Sequence, residues 1–196
     1  MENGSGGPVP GVIAGIVSDL GDPENLGRVK VTFPDLGGVS SDWARIIAPS
    51  AGSGRGALFR PESGDEVMVS FERGDLRSPY VLGGVWSQAD PPPPGDGDQR
   101  ANNLRSITSR SGHAITFDDT PGGEKLEITD RDGRHVTLDS AGKKITVRAP
   151  SGDVEVQADT GNVRLIGQQV FVTATQELHL HSDGIVKITG RSIDLN

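Results

Sequence analysis

Cysteine is absent from this 196-residue chain, so neither disulfides nor thiolate-held metals can stabilise it, and no oxidising compartment is implied. Aromatic residues make up only 4% of the sequence, which leaves little material for the stacking platforms of single-strand nucleic-acid binders. Positive charge is not in excess either. The formal net charge is −8, and it divides into −6 for residues 1–103 and −2 for residues 104–196. Attraction to nucleic acid or to an anionic membrane surface is therefore not expected. No apolar run approaches the roughly 20 residues that a membrane helix needs, and Met1 to Pro8 lacks a basic cluster followed by an apolar stretch. Synthesis and assembly in the cytoplasm, without a signal peptide, are expected.

What the chain does contain is glycine and proline, 28 and 13 residues, together with short alternating runs. Apolar and polar residues alternate in the pairs Ile115/Phe117, Leu126/Ile128, Val136/Leu138, Ile145/Val147, Val154/Val156, Val163/Leu165, Val170/Val172, Leu178/Leu180, Val186/Ile188 and Ile193/Leu195. Turn signals such as Gly122-Gly123, Asp132-Gly133, Ser151-Gly152 and Asp183-Gly184 separate them. One strand per eight to ten residues, with no helical period, reads as a repeat that winds around an axis. Such a step is too short for one chain to enclose its own interior, since single-chain solenoids need about 20 or more residues per coil. Three chains, each giving one wall per layer, would meet in an apolar axis and satisfy every strand edge. The expectation is an obligate homotrimer, an intertwined β-prism or triple-stranded β-helix. Its core is formed by the pairs from Ile115 through Ile188, and at about 4.8 Å per layer ten layers give a rod about 50 Å long.

The first half carries longer, unevenly spaced strand signals over Gly11–Asp19, Leu26–Phe33, Asp42–Ala48, Glu66–Glu72 and Pro79–Trp86. Five strands of this length suggest a small Greek-key barrel of the OB type. Phe33, Trp43, Phe71, Tyr80 and Trp86 fall in these patterns as core candidates. The expected organisation is all-β: an N-terminal arm at residues 1–10, a five-stranded OB barrel at 11–87, a Pro/Gly-rich linker at 88–104 and the trimeric β-prism at 105–196.

No catalytic residue, cofactor or metal site is expected. Ser50-Ala51-Gly52-Ser53-Gly54-Arg55-Gly56 lacks the Gly-Lys-Ser/Thr ending and the following helix of a phosphate loop. Asp130-Arg131-Asp132-Gly133 lacks the further acidic ligands of a calcium loop, and Asp118-Asp119 sits where carboxylates favour turns. His179 and His181 would supply six imidazoles from three chains, but the phase set by Leu178 and Leu180 turns them outward unless a bulge reverses it. Nothing has nucleophile-elbow spacing.

Several motifs resemble one family. Gly15-Ile16-Val17, Asp22-Pro23, Leu26-Gly27-Arg28-Val29-Lys30-Val31, Asp42-Trp43-Ala44-Arg45, Pro61-Glu62-x-Gly64-Asp65-Glu66-Val67 and Val81-Leu82-Gly83 are similar, in order, to the OB domain shared by phage baseplate assembly protein V and VgrG. The repeat that follows resembles the spike of the same proteins. The resemblance implies a structural, non-enzymatic central spike of a contractile injection machine: a phage tail, an extracellular contractile particle or a type VI secretion system. It further implies docking of the OB domain on a separate baseplate hub protein, because only about ten residues precede the barrel. A PAAR-type tip protein is implied at Ile193, Asp194, Leu195 and Asn196, and contact with a target membrane only during piercing. The interval from Ser87 to Asn103 is too short for the lysozyme domain that some phage spikes insert there. The competing reading is a trimeric receptor- or glycan-binding tail fibre.

Overall fold

The computed structural model of the chain describes residues 11–95 and 100–194. The chain falls into two compact units, divided between Asn102 and Asn103. Among the described residues all regular structure is β apart from two single 3₁₀ turns, Pro34–Leu36 and Glu72–Gly74.

In the first unit the strands are β1 (Val12–Asp19), β2 (Lys30–Phe33), β3 (Val39–Ser40), β4 (Arg45–Ile46), β5 (Ala51–Gly52), β6 (Arg55–Gly56), β7 (Glu66–Phe71) and β8 (Pro79–Gly84). Six of them form one sheet in the order β3-β2-β1-β7-β8-β4. The sheet curls until it closes. β4 lies parallel to β8, with Arg45 opposite Tyr80, while Ala44, one residue before β4, bridges antiparallel to Val29 just ahead of β2. Following the pairings from β1 through β2, residues 44–46, β8 and β7 returns to β1, which is the ring that full closure of a small barrel requires.

Strand alternation fills this ring. Val31 and Phe33 of β2, Val67, Val69 and Phe71 of β7, and Val81 of β8 share the inward parity and join Val17, Val29 and Ala44 in a buried cluster. Phe33 and Phe71 meet edge to face with centroids 5.6 Å apart. Gly15 faces this cluster: a Cβ there would collide with Val31 and stand 3.0 Å from the Phe33 ring. Where β3 peels away, the buried Ser41 hydroxyl accepts from the Val31 N–H at 3.0 Å and donates to the Asp42 carbonyl at 2.7 Å, so the Val31 donor keeps a partner.

Three expectations are corrected here. The Leu26–Phe33 strand begins only at Lys30, because the Asp22 carboxylate gathers the N–H groups of Glu24, Leu26 and Arg28 and holds the chain in a turn. Asp42–Ala48 contracts to β4, and Ser50 to Gly56 forms the small hairpin β5–β6. Of the five aromatic core candidates, Phe33 and Phe71 are buried, whereas Trp86 is 71% exposed. Trp43 and Tyr80 sit half-buried on the outer parity, under the cations of Lys30 (5.1 Å to the ring centroid) and Arg45 (4.4 Å).

The second unit starts with β9 (Leu104–Thr108), β10 (Ala114–Asp118), β11 (Lys125–Thr129), β12 (His135–Asp139) and β13 (Lys144–Arg148). They form an antiparallel meander in chain order, with β9 and β13 at its edges. The repeat therefore doubles back on itself through these five strands, where the sequence suggested winding from the start. Asp130-Arg131-Asp132-Gly133 is the β11–β12 turn: the Asp130 N–H donates to the Arg134 carbonyl at 2.9 Å, and Gly133 takes a φ of 84°. Beyond Arg148 the chain forms no strand among the described residues, and residues 151–194 are all exposed.

Candidate assembly surface

Because the meander is in register throughout, one of its faces is apolar except for Arg105, which stands opposite Phe117. Ile115 stands opposite Ile107 and Ile128, and Phe117 opposite Leu126. Leu126 and Ile128 in turn face Leu138 and Val136, which face Ile145 and Val147. The result is an apolar field across the five strands that the described residues of this unit leave largely open: Phe117, Ile128, Ile145 and Val147 are exposed, and Leu126 and Val136 are half-buried. A contiguous apolar surface of this kind marks an interaction site in a soluble protein.

The opposite face is polar and partly shielded by its own side chains. Glu127 accepts from the hydroxyls of Thr129 at 3.2 Å and Thr137 at 3.3 Å. At one end of the strands the cross-strand partners Asp118, Lys125, Asp139 and Lys144 alternate in sign at every step. Asp118 is held below its ordinary pKa by hydrogen bonding from Thr120. At the other end burial pushes Asp130 up, but the Arg134 N–H and guanidinium outweigh it and bring its pKa below the ordinary value.

The remaining candidates of the repeat lie on the segment that has no strand partner. Val154, Val156, Val163, Leu165, Val170, Val172, Leu178, Leu180, Val186, Ile188 and Ile193 are all exposed, Val156 at 73%. The structure of the single chain does not bring them together. Asp194 is likewise exposed, while Leu195 and Asn196 lie outside the described residues. The rings of His179 and His181 are 6.0 Å apart, with His181 Nε2 3.2 Å from Asp183 Oδ1. Among the described residues, no group of three or more His, Asp or Glu is arranged to hold a metal, and no helix is long and apolar enough to cross a membrane.

On the barrel the best-organised polar site is structural. Asp22, 7% exposed, accepts from Arg28 Nη2 at 2.7 Å and Nε at 3.1 Å in addition to its three backbone donors. This hydrogen bonding, led by the Arg28 side chain, overrides the effect of burial and holds the Asp22 carboxyl far below the usual carboxylate range, with Arg28 raised in return. The Asp22-Pro23 motif shows a turn-forming pair in the sequence but not the ion pair that Asp22 makes. The turn residue and an arginine six positions on are the signal that was available.

Comparison with known proteins fits this architecture. Residues 13–86 match the family described as the type VI secretion system/phage-baseplate injector OB domain. The chain is 30% identical over 126 residues to the type VI secretion system spike protein VgrG3 of Vibrio cholerae, covering 59% of this chain and 12% of that protein. It is 34% identical over 119 residues to the spike protein VgrG4b of Pseudomonas aeruginosa, covering 57% of this chain and 14% of the relative. With VgrG1a of the same organism it shares 30% over 135 residues, 62% of this chain and 21% of the relative. The chain thus spans between 12% and 21% of the length of these curated relatives. The chain is similar to the VgrG-type spike proteins, and its residues 13–86 match the OB domain of type VI secretion and phage-baseplate injectors.

Proposed function

We propose that this chain is the structural central spike of a contractile injection machine, acting as a homotrimer. The observation that supports the reading is the apolar field of the meander together with its continuation to Ile193, most of it exposed in one chain. Three copies bury both. In the assembled spike, residues 11–87 form a barrel collar, 88–104 a linker and 105–196 a needle. The force of a contracting sheath is transmitted along a column of Val, Ile and Leu walled by continuous strand pairing. The collar docks on a baseplate hub, and the end of the needle, at Ile193 to Asn196, receives a small tip protein that adds strand edges to it. The role is mechanical and needs neither cofactor nor catalytic group. The protein works as a component of a phage tail or injection particle, is assembled in the cytoplasm and meets the target membrane only when it pierces it.

Electron microscopy of the purified protein tests the reading: a collar with one slender needle is expected, and isolated globular particles overturn it. For the tip, deletion of Ile193 to Asn196 abolishes recovery of a PAAR-type partner in a pull-down. Retained binding places that contact elsewhere.

A further inference from the structure

Pairing in the meander runs one residue beyond the strands at both of their ends, and it carries polar side chains onto the rims of the apolar face. At one end the Asp119 N–H donates to the Asn103 carbonyl and the Ser140 N–H to the Glu124 carbonyl, each at 3.0 Å. At the other end the Ser109 N–H donates to the His113 carbonyl at 2.8 Å and the Asp130 N–H to the Arg134 carbonyl at 2.9 Å. Alternation therefore holds through these residues, and it sets Asp119, Glu124 and Ser140 along one rim and His113, Asp130 and Arg134 along the other. The two rims are unlike. The first holds two acids, whereas the second holds an arginine and a histidine beside one acid, and all six residues except Asp130 are exposed. Within the chain Arg134 Nε donates to Asp130 Oδ2 at 2.6 Å and Nη2 lies 3.2 Å from Asp132 Oδ2, yet the Arg134 side chain stays 51% exposed and a guanidinium has five donors. Glu124 is at the far end of the same strands. Six residues at about 3.3 Å each put it about 20 Å from Asp130 and Arg134 of its own chain.

We propose that these rims are side-chain seams between copies of the chain: the Asp119, Glu124 and Ser140 rim of one copy lies against the His113, Asp130 and Arg134 rim of the next, and Arg134 bridges its own Asp130 and Glu124 of the neighbouring copy. The inference rests on the trimeric reading above and deepens it by naming the charges that seat one copy against another. Where strands cross the faces of a three-sided prism, their ends meet at the corners, and three-fold closure brings unlike ends together at the same level. Asp119 then meets His113 at the level of β10. At the level of β11 Glu124 meets Asp130, two acids that repel each other unless a cation lies between them. Arg134, one level on at about 4.8 Å, is that cation. Its guanidinium can hold a carboxylate on each side, so the hairpin ion pair of one chain becomes a three-member cluster at every corner.

The chain has no native cysteine, so the seam can be tested by cross-linking in the full-length protein. The Glu124→Cys/Arg134→Cys variant, treated with a short bis-methanethiosulfonate, is expected to run as covalent dimers and trimers on a denaturing non-reducing gel, because the two thiols of one chain are too far apart to join. Either cysteine alone is expected to leave single chains, and linking by a single variant contradicts the seam. Native mass is measured in parallel. A trimer whose Glu124→Cys/Arg134→Cys chains do not link overturns the seam and leaves the trimeric reading standing. A native mass of one chain overturns both. Melting temperature gives a second readout. Arg134→Gln leaves Glu124 and Asp130 facing each other and lowers the trimer's melting temperature, and adding Glu124→Gln recovers part of the loss. Two sites about 20 Å apart in one chain act independently, so additive losses in the double variant contradict the contact.

Discussion

Val156→Asp separates the assembled spike from a self-sufficient chain by an energy difference large enough to be unmistakable. In one chain Val156 is 73% exposed, so a polar replacement there changes the stability of an isolated subunit by no more than about 0.5 kcal/mol. In the proposed trimer the same side chain would stand at the axis. Its loss removes roughly 1.5–3 kcal/mol of burial per copy, or about 4.5–9 kcal/mol for three copies. In addition, three carboxylates are brought together out of water with no cation to pair them, at a cost of several kcal/mol each. The sum reaches the roughly 5–15 kcal/mol by which a typical domain is stable, so assembly along this part of the needle fails. Light scattering coupled to size-exclusion chromatography, with a thermal melt, reads the outcome. Val156→Asp should lose trimer mass, while Glu155→Ala, one residue away on the opposite parity, should keep it. A Val156→Asp protein with wild-type mass and melting temperature refutes the burial of this column.

The barrel offers independent tests. Gly15→Ala forces a methyl against Val31 and the Phe33 ring, so denaturant unfolding should show a loss of about 1–3 kcal/mol. Phe33→Ala empties the centre of the buried cluster and should cost about 3–5 kcal/mol in the same assay. Asp22 has a folded pKa well below its ordinary 3.8, so its contribution is complete above that value and is lost as the pH falls below it. Acid titration of stability should therefore have a shallower limb in Asp22→Asn, whose stability at neutral pH is already reduced. An unchanged acid limb would show that the Asp22–Arg28 pair does not support the fold.

The barrel was legible where alternation was strict. Val67, Val69 and Phe71 announce β7 and its inward face, and the structure places all three in the core. It was less legible where a side chain overrides local propensity. The apolar pattern from Leu26 to Phe33 gives no hint that the Asp22 carboxylate will draw three N–H groups out of any strand. Trp43 and Tyr80 lie outside the core despite their bulk: Ala44 and Val81 are the inward residues beside them, so alternation turns both rings out toward Lys30 and Arg45. In the second unit the apolar pairs were evident from sequence, but the same period of two fits a hairpin and a winding strand equally. What distinguishes them is charge. Reflection at each hairpin brings Asp118 to Lys125 and Lys125 to Asp139, a pattern that becomes visible only once the antiparallel register is known.

The central claim is that one chain cannot cover its own apolar surface from Ile115 to Ile193. Sedimentation equilibrium of the intact protein at neutral pH tests it most directly. A single species of three times the 20.5 kDa chain mass, persisting on dilution, is the result the account predicts. A stable, cooperatively folded species at the mass of one chain contradicts it.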